Sequence, residues 1–301
     1  MAVCIMKNKR FVTRFLILLF VLTTGLSVAA KGTKHYDLIK NLEYAQVDEH
    51  HLLLDLYLPK NATNPTLVVW VHGGAWQRGS KSGMPLKALV NSGYAIASID
   101  YRLSTVAPFP ALIHDCKGAI RWLRAHQHKY KYDAQSVGIA GSSAGGHLVA
   151  LIGTSNGNTE LEGTVGEHLD QSSNVQAIVV FYGASNLQTI LQQSTPHGLS
   201  VRVPALKLLL GGTPEENPEL ARLASPVFHV DPNDPPLLLF HGDQDPQMPI
   251  NQAHELHGAY KAQNCNVSFH VIYGAAHGGK VFYDSERMAL VLEFLGTHLT
   301  Y

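Results

Sequence analysis

The chain has 301 residues, of which 46% are hydrophobic and only 15% are charged. This length suits one large or two modest domains, and the hydrophobic fraction is ample for a sizeable core, which excludes wholesale disorder. Basic and acidic side chains are balanced at 23 each, so a nucleic-acid-binding surface is not indicated. Three cysteines are too few for a disulfide scaffold, whereas the 17 histidines require that a metal site be considered.

Residues 1–30 have the layout of a secretory signal peptide. All of their charged side chains are basic and precede the apolar run 15–22, and small residues follow at 27–30. This apolar run is far shorter than the roughly 20 residues that a membrane-spanning helix needs. We therefore expect cleavage near Ala29 or Ala30, no stable membrane insertion afterwards, and a secreted or periplasmic protein. Cleavage would remove four of the 23 basic side chains and leave 23 acidic ones against 19, a formal net charge of −4.

From about residue 44 the chain alternates strand-like apolar runs with amphipathic helical patterns. Continuous apolar runs are typical of parallel strands that are buried on both faces. They predict seven strands, at 52–58, 66–71, 94–99, 136–140, 177–181, 237–240 and 267–273. Apolar residues spaced three and four apart predict helices over 112–123 and 288–299. This alternation indicates one α/β domain over residues 31–301, with a mostly parallel sheet and helices on both faces.

The widest irregular segment, residues 183–235, lies between two predicted strands. A long structured insertion at this place is often a lid or a pocket wall, and simple packing against the core is an equally good interpretation. Cys116 and Cys265 are the cysteines that remain after cleavage. We expect both to be free or buried thiols, although an exported protein could pair them.

A candidate nucleophile follows the predicted strand 136–140, in the sequence Gly-Ser-Ser-Ala-Gly at 141–145. This pattern between a strand and a helix places its central serine, Ser143, on a strained turn with its hydroxyl above the sheet. Gly141 and Gly145 let the strand and the helix approach closely. The glycine spacing selects Ser143 rather than its neighbour Ser142.

A glycine-containing loop, His72-Gly-Gly-Ala-Trp76, follows the strand 66–71 and is a candidate oxyanion hole. Backbone N–H groups can approach a developing oxyanion only where side chains are small. The proposed donors are the N–H groups of Gly74 and Ala75, joined by that of Ala144 just after the nucleophile. We interpret His72 as a residue that fixes the loop, and Trp76 as a candidate substrate-binding residue.

The candidate acid and base follow later strands. Asp243 and Asp245 lie directly after the strand 237–240, where an α/β enzyme places catalytic groups, and chemistry alone does not choose between them. The base is expected further along the chain, in the order Ser, Asp or Glu, His. His277 lies in a glycine-rich loop after the last strand and is the best candidate. The other histidines there fall in helical or strand patterns: His254, His257, His270 and His298.

The histidines do not form a metal-binding pattern. The closely spaced pairs are scattered, at 50–51, 126–128 and 254–257, and none has the spacing of a known zinc motif or lies beside a cysteine cluster. We therefore expect no metal site, and most of the histidines are expected to be solvated.

Together these motifs resemble the α/β-hydrolase superfamily, specifically the serine esterases related to hormone-sensitive lipase. The resemblance covers about residues 36–299, and the motifs at His72, Asp100 and Gly141 are most similar to bacterial acetyl esterases and feruloyl-esterase-like enzymes. It implies that Asp245 is the acid and that Asp243 shapes its loop. It also implies hydrolysis of short-chain acyl or feruloyl esters, small or carbohydrate-linked, without metal or cofactor.

Two departures from the lipase-related pattern bear on the pocket and on the function. Ala75 stands where a third glycine is usual, and the mature chain has no room before His72 for the long N-terminal cap of that group, so we expect a more open site. The same loop also resembles that of kynurenine formamidase, which makes an arylformamidase an alternative function. A catalytically silent binding protein with this fold is a second alternative, although such proteins usually lack a triad member.

Overall fold

The computed structural model describes residues 1–2 and 35–299. The predicted signal peptide at 1–30 lies outside the described residues apart from its first two positions, so cleavage and export stay predictions. Within the described part of the chain, no helix has both the length and the apolar character needed to cross a bilayer.

The described residues form one eight-stranded sheet. Its strands are β1 (Tyr36–Val47), β2 (His50–Pro59), β3 (Thr66–Val71), β4 (Ala95–Ile99), β5 (Asp133–Ser142), β6 (Ala177–Phe181), β7 (Leu237–Gly242) and β8 (Val267–Ile272). Their spatial order is β1-β2-β4-β3-β5-β6-β7-β8. Strands β3 to β8 pair in parallel, whereas β1 and β2 are antiparallel. The seven predicted strands are confirmed as β2 to β8.

Strand β1 is absent from the sequence-based prediction. It pairs only with β2 at the edge of the sheet, and most of its side chains are partly or fully exposed. Its pairing slips between Ile39 and Leu42 and again between Glu43 and Ala45, so the apolar alternation is interrupted twice. An edge strand with two irregularities does not carry the continuous apolar run by which the buried strands are recognised.

Helices cover both faces of the sheet, as expected. Within residues 35–299 they are α1 (Lys87–Asn91), α2 (Ala111–Tyr130), α3 (Ala144–Thr154), α4 (Thr159–Glu162), α5 (Ile190–Gln193), α6 (Pro196–Leu210), α7 (Pro218–Leu223), α8 (Asn251–Ala262) and α9 (Ser285–His298), with short 3-10 helices at Lys81–Gly83, Pro226–Phe228 and Lys280–Tyr283. Successive residues of β3 point to opposite faces. Val69 shares a buried cluster with Leu148 of α3, and Val68 shares another with Val291 of α9. The sheet therefore has a core on each side.

Residues 183–235 hold α5, α6, α7 and the 3-10 helix at Pro226–Phe228. Leu206 and Leu209 of α6 belong to the main core, whereas Val201 and Arg202 of the same helix line a cavity at the carboxyl ends of the strands. The insertion thus both packs on the core and forms a pocket wall. Cys116 and Cys265 are buried free thiols, as expected.

Candidate active site

Ser143 occupies a sharp turn between β5 and α3. Its backbone has φ 53° and ψ −117°, a conformation that L-residues rarely adopt. The turn needs close contact between backbones, because a Cβ on Gly145 would lie 2.1 Å from the carbonyl oxygen of Val71. A Cβ on Gly141 would lie 2.4 Å from the carbonyl oxygen of Gly145. The two glycines therefore allow the turn that lifts the Ser143 hydroxyl above the sheet.

Ser143, His277 and Asp245 form a hydrogen-bonded chain, although 134 residues separate the first two in sequence. The Ser143 hydroxyl donates to His277 Nε2 across 2.9 Å. The His277 Nδ1–H donates to Asp245 Oδ2 across 2.6 Å, which fixes the imidazole with Nε2 as the acceptor. His277 lies in the loop after β8 and Asp245 in the loop after β7. The parallel strands thus bring the three predicted residues together at one edge of the sheet.

The structure also separates the two candidate acids. Among the described residues, Asp243 makes no hydrogen bond with His277; its Oδ1 accepts the backbone N–H of Gly274 across 2.6 Å. Because Gly274 lies in the loop that carries His277, Asp243 shapes that loop. Asp245 is buried and is the carboxylate that His277 contacts.

Several donors stabilise the Asp245 carboxylate in its ionised form. Its Oδ1 accepts the N–H groups of Gln247 at 2.9 Å and Met248 at 2.8 Å. The Nε2 of the buried His241 lies 3.5 Å from Oδ2 and donates to the carbonyl of Met248. Burial raises the pKa of Asp245, but the donors, His241 and His277 foremost, outweigh it and hold the pKa well below its usual range. The carboxylate is therefore charged and oriented before any reaction begins.

The loop after β3 presents unused backbone donors to the same place. Gly74 has φ 124° and Ala75 has φ 54°, and within residues 35–299 no hydrogen bond uses either N–H group. Ala144 is the first residue of α3, where a backbone N–H has no partner within the helix. A Cβ on Gly74 would lie 2.0 Å from the carbonyl oxygen of Arg78, so this position requires glycine. Gly74 and Ala75 therefore line the same cavity as Ser143 with unused N–H groups, and Ala144 directly follows Ser143 in the chain.

His72 is buried behind this loop and does not reach the nucleophile. Its Nδ1–H donates to the carbonyl of Gly73 across 2.8 Å, and its ring stacks on Tyr101 with centroids 4.5 Å apart. Its Nε2 lies 3.9 Å from Asp100 Oδ1. Burial lowers the pKa of His72, against the opposing effects of Gly73 and Asp100. These contacts hold the loop, which is the role predicted for His72.

The prediction that Trp76 contacts the substrate is wrong. Trp76 is fully buried, and the cavity beside Ser143 does not include it. Its positive φ of 61° turns the side chain inward, where the indole Nε1–H donates to His147 Nδ1 across 3.2 Å. Trp76 supports the oxyanion loop from beneath.

His147 of α3 is a site residue that the sequence analysis misses. Its Nε2–H donates to the carbonyl of Ala224 across 2.6 Å, while its Nδ1 accepts from Trp76. A tryptophan N–H can only donate and a carbonyl can only accept, so this imidazole is neutral with one fixed tautomer. Burial lowers the pKa of His147 to about 4, although the bond to Ala224 opposes the shift. The available signal is its position four residues after the nucleophile, within the motif that resembles esterases.

The hydroxyl of Ser143 opens into a cavity of about 390 Å³. Its wall includes the oxyanion loop and His277, together with Arg78, Tyr182, Val201, Arg202 and Gln247. The ring of Tyr182 meets that of His277 edge-on, with centroids 4.9 Å apart, and its hydroxyl bonds to that of Tyr283 across 2.9 Å. The cavity walls thus combine backbone donors, hydroxyls and cationic side chains around the Ser143 hydroxyl. Within residues 1–2 and 35–299, no three His, Cys, Asp or Glu side chains are grouped so that they could hold a metal ion.

Comparison with known proteins agrees with this geometry. The BD-FAE family model matches residues 54–260. The esterase LipC of Mycobacterium tuberculosis is 33% identical over 237 residues, which cover 77% of this chain and 58% of LipC. The chain spans about half the length of the curated relatives it matches first.

The likeness to solved structures extends over most of the chain. A truncated carbohydrate esterase from gut microbiota is 30% identical with a TM-score of 0.77, covering 88% of this chain and 97% of its own. Esterase 2 of Thermogutta terrifontis, phosphoramylated by tabun, is 26% identical with a TM-score of 0.70, covering 87% and 94%.

Proposed function

The chain belongs to the BD-FAE family of α/β-hydrolase esterases, and from this premise we propose that it is a serine carboxylic-ester hydrolase that works through an acyl-enzyme. The membership confirms the predicted fold class and the esterase resemblance. The observation that carries the proposal is the hydrogen-bonded chain from Ser143 through His277 to Asp245, open to a cavity beside unused N–H donors.

In the first half of the reaction, the Ser143 hydroxyl attacks the ester carbonyl while His277 Nε2 takes its proton. The 2.9 Å contact between these atoms is within the range required for direct proton transfer. Asp245 holds His277 in the required tautomer and stabilises the imidazolium that forms. The proton then passes from His277 to the leaving alcohol, and the acyl group stays on Ser143.

The N–H groups of Gly74, Ala75 and Ala144 stabilise the negative charge that develops on the carbonyl oxygen by donating hydrogen bonds to it. Such donors are worth about 3 kcal/mol each, because they are oriented before the charge appears. In the second half, His277 activates a water molecule that attacks the acyl-enzyme. The acid is released and the Ser143 hydroxyl is regenerated.

The substrates proposed are short-chain acyl or feruloyl esters, including esters on carbohydrates. Support comes from the likeness to a carbohydrate esterase and from the modest cavity of about 390 Å³. Export through the N-terminal segment is part of the proposal and is supported by the sequence pattern of residues 1–30.

The test combines a covalent label with a substrate screen. An organophosphate is expected to label the protein stoichiometrically, with the adduct on Ser143 by peptide mass spectrometry, and 4-nitrophenyl acetate is expected to be hydrolysed. A protein that takes no label and leaves acetate esters intact is a binding protein, and the proposal fails. Turnover of N-formylkynurenine that exceeds turnover of every ester in a screen of acyl lengths and sugar or aryl alcohols would replace it with the arylformamidase function.

A further inference from the structure

Arg202 is a buried guanidinium without an acidic partner. It lies on α6 with 1% of its surface exposed, and its Nε–H donates to the carbonyl of Gln247 across 3.2 Å. Its Nη1 is buried and has no hydrogen-bond acceptor, and among residues 35–299 no carboxylate forms an ion pair with it. Burying an unpaired charge costs free energy, so the burial of Arg202 needs a physical explanation.

The charge on Arg202 persists at neutral pH. Burial lowers the pKa of the guanidinium to about 10, and the negative charge of Asp245 opposes the shift. Asp245 does not neutralise Arg202 by contact, because its oxygens are already bonded to His277 and to the backbone of its own loop. The site therefore holds a cation whose in-plane N–H groups are not all used.

A cation–π contact with Trp76 does not satisfy the N–H groups of Arg202. The guanidinium carbon of Arg202 lies 5.9 Å from the centroid of the Trp76 ring. The N–H groups lie in the plane of the guanidinium and are left for an acceptor in that plane. If the only role of this position were to pack against Trp76, a neutral side chain could fill it without burying a charge.

Arg202 lines the cavity into which Ser143 and His277 open. A second arginine, the exposed Arg78, lines the same cavity, and none of the residues found to line it is Asp or Glu. The charged side chains that line the cavity are therefore cationic. A planar anion suits such a site, because guanidinium and carboxylate form two parallel hydrogen bonds.

We infer that the ester substrate carries a free carboxylate, which Arg202 binds through its unpaired N–H groups in the cavity beside Ser143. The inference rests on the proposed ester hydrolysis and specifies its substrate class. A carboxylate would supply the missing counter-charge and acceptor for a guanidinium already removed from water. The carboxylate belongs either to the acyl group or to the alcohol, and the two positions are distinguished by the substrates used.

The first experiment uses the unaltered protein and two matched pairs of esters. Mono-4-nitrophenyl adipate against 4-nitrophenyl hexanoate places the charge on the acyl side, and 3-acetoxybenzoate against its methyl ester places it on the alcohol side. Each kcat/KM is divided by the rate of spontaneous hydrolysis. One pair is expected to favour the anionic ester at least tenfold, because a site built for a polar group discriminates strongly against its absence. Equal or lower values for the anionic ester in both pairs overturn the inference.

The second experiment uses Arg202→Gln, with Arg222→Gln as the matched control. Arg222 is an exposed arginine of the same insertion, outside this cavity, where it contacts Phe228. The anionic-to-neutral ratio of the favoured pair is expected to fall about tenfold in Arg202→Gln and to stay unchanged in Arg222→Gln. Organophosphate labelling of Ser143 reports that each variant is folded. A wild-type ratio in labelled Arg202→Gln overturns the inference, and if that variant does not fold, the ester pairs on the unaltered protein decide.

The two proposals fail in different ways. Hydrolysis of neutral esters with no preference for the anionic ones removes only the carboxylate inference. Absence of both ester hydrolysis and labelling of Ser143 removes the proposed function and the inference with it.

Discussion

The indole of Trp76 donates a hydrogen bond to the imidazole of His147, and through it the oxyanion loop is tied to the nucleophile helix. The two atoms are 3.2 Å apart, the rings cross at 90°, and both side chains are fully buried. Two of the proposed oxyanion donors come from the loop and the third, Ala144, from the first residue of α3. The relative position of these donors therefore depends on a bond between residues 71 positions apart in sequence.

Replacing Trp76 with Phe is expected to impair turnover and stability together. The change removes the N–H and leaves the buried Nδ1 of His147 without a donor, which costs about 1–3 kcal/mol in the free energy of unfolding. We expect kcat/KM for 4-nitrophenyl acetate to fall about tenfold. Trp70→Phe is the matched control, because the buried Nε1 of Trp70 has no hydrogen-bond partner to lose. Equal effects of the two changes would show that the bond to His147 has no role in the site.

Stability is expected to fall in mild acid because of His147. Its pKa is about 4 when folded, against 6.5 for a free imidazole, so between these values the unfolded chain binds a proton that the folded chain does not. This group therefore lowers the free energy of unfolding as the pH falls from 7 to 4, by about 3 kcal/mol. His147→Gln keeps a donor and an acceptor but does not titrate. Denaturant unfolding at several pH values should give a flatter curve for this variant, and identical curves would contradict the assignment.

Asp245→Asn is expected to lower kcat by about 10³- to 10⁴-fold, because the amide no longer holds His277 in the reactive tautomer. Asp243→Asn is the matched control in the same loop. Its amide oxygen can still accept the N–H of Gly274, so most activity should remain. The reverse order of kcat values in the two variants would transfer the acid role to Asp243.

Ser143→Ala is expected to abolish ester turnover and organophosphate labelling, because no other hydroxyl bonds to His277 among the described residues. Ser142→Ala is expected to retain most of the activity. The Ser142 hydroxyl faces those of Tyr182 and Tyr283 rather than the imidazole. Loss of labelling in Ser142→Ala with retention in Ser143→Ala would overturn the assignment of the nucleophile.

Gly74→Ala is expected to reduce kcat by about 10²-fold or more. The new Cβ would lie 2.0 Å from the carbonyl oxygen of Arg78, at a φ of 124°, so the loop must shift and move its N–H donors. Gly83→Ala is the control, since nothing lies within 4 Å of a Cβ there. Steady-state kinetics on 4-nitrophenyl acetate compares the two, and a fully active Gly74→Ala would remove this loop from the oxyanion hole.

The sequence by itself predicted the serine and the histidine that the structure brings together, and the positions along the chain of the buried strands. Ser143 and His277 are recognisable because their signals are local: a glycine spacing within five residues, a strand before it, and a flexible loop after a later strand. The buried strands are equally clear, since burial on both faces requires continuous apolar runs. The edge strand β1 is partly exposed, so it does not need a continuous apolar run, and the sequence pattern did not predict it.

Only the tertiary structure decided which side chains are buried beneath the site and which line its cavity. Trp76 directly follows the proposed oxyanion loop residues in sequence, yet its positive φ turns its side chain into the core. A backbone torsion of this kind cannot be predicted from the residue type. His147 and Arg202 have unremarkable local patterns, and their partners, Ala224 and Gln247, lie 77 and 45 residues further along the chain. Asp243 and Asp245 are chemically alike; the family resemblance favours Asp245, and the structure shows that it is the one in contact with His277. Each of these roles depends on a contact or a torsion that exists only once the chain has folded.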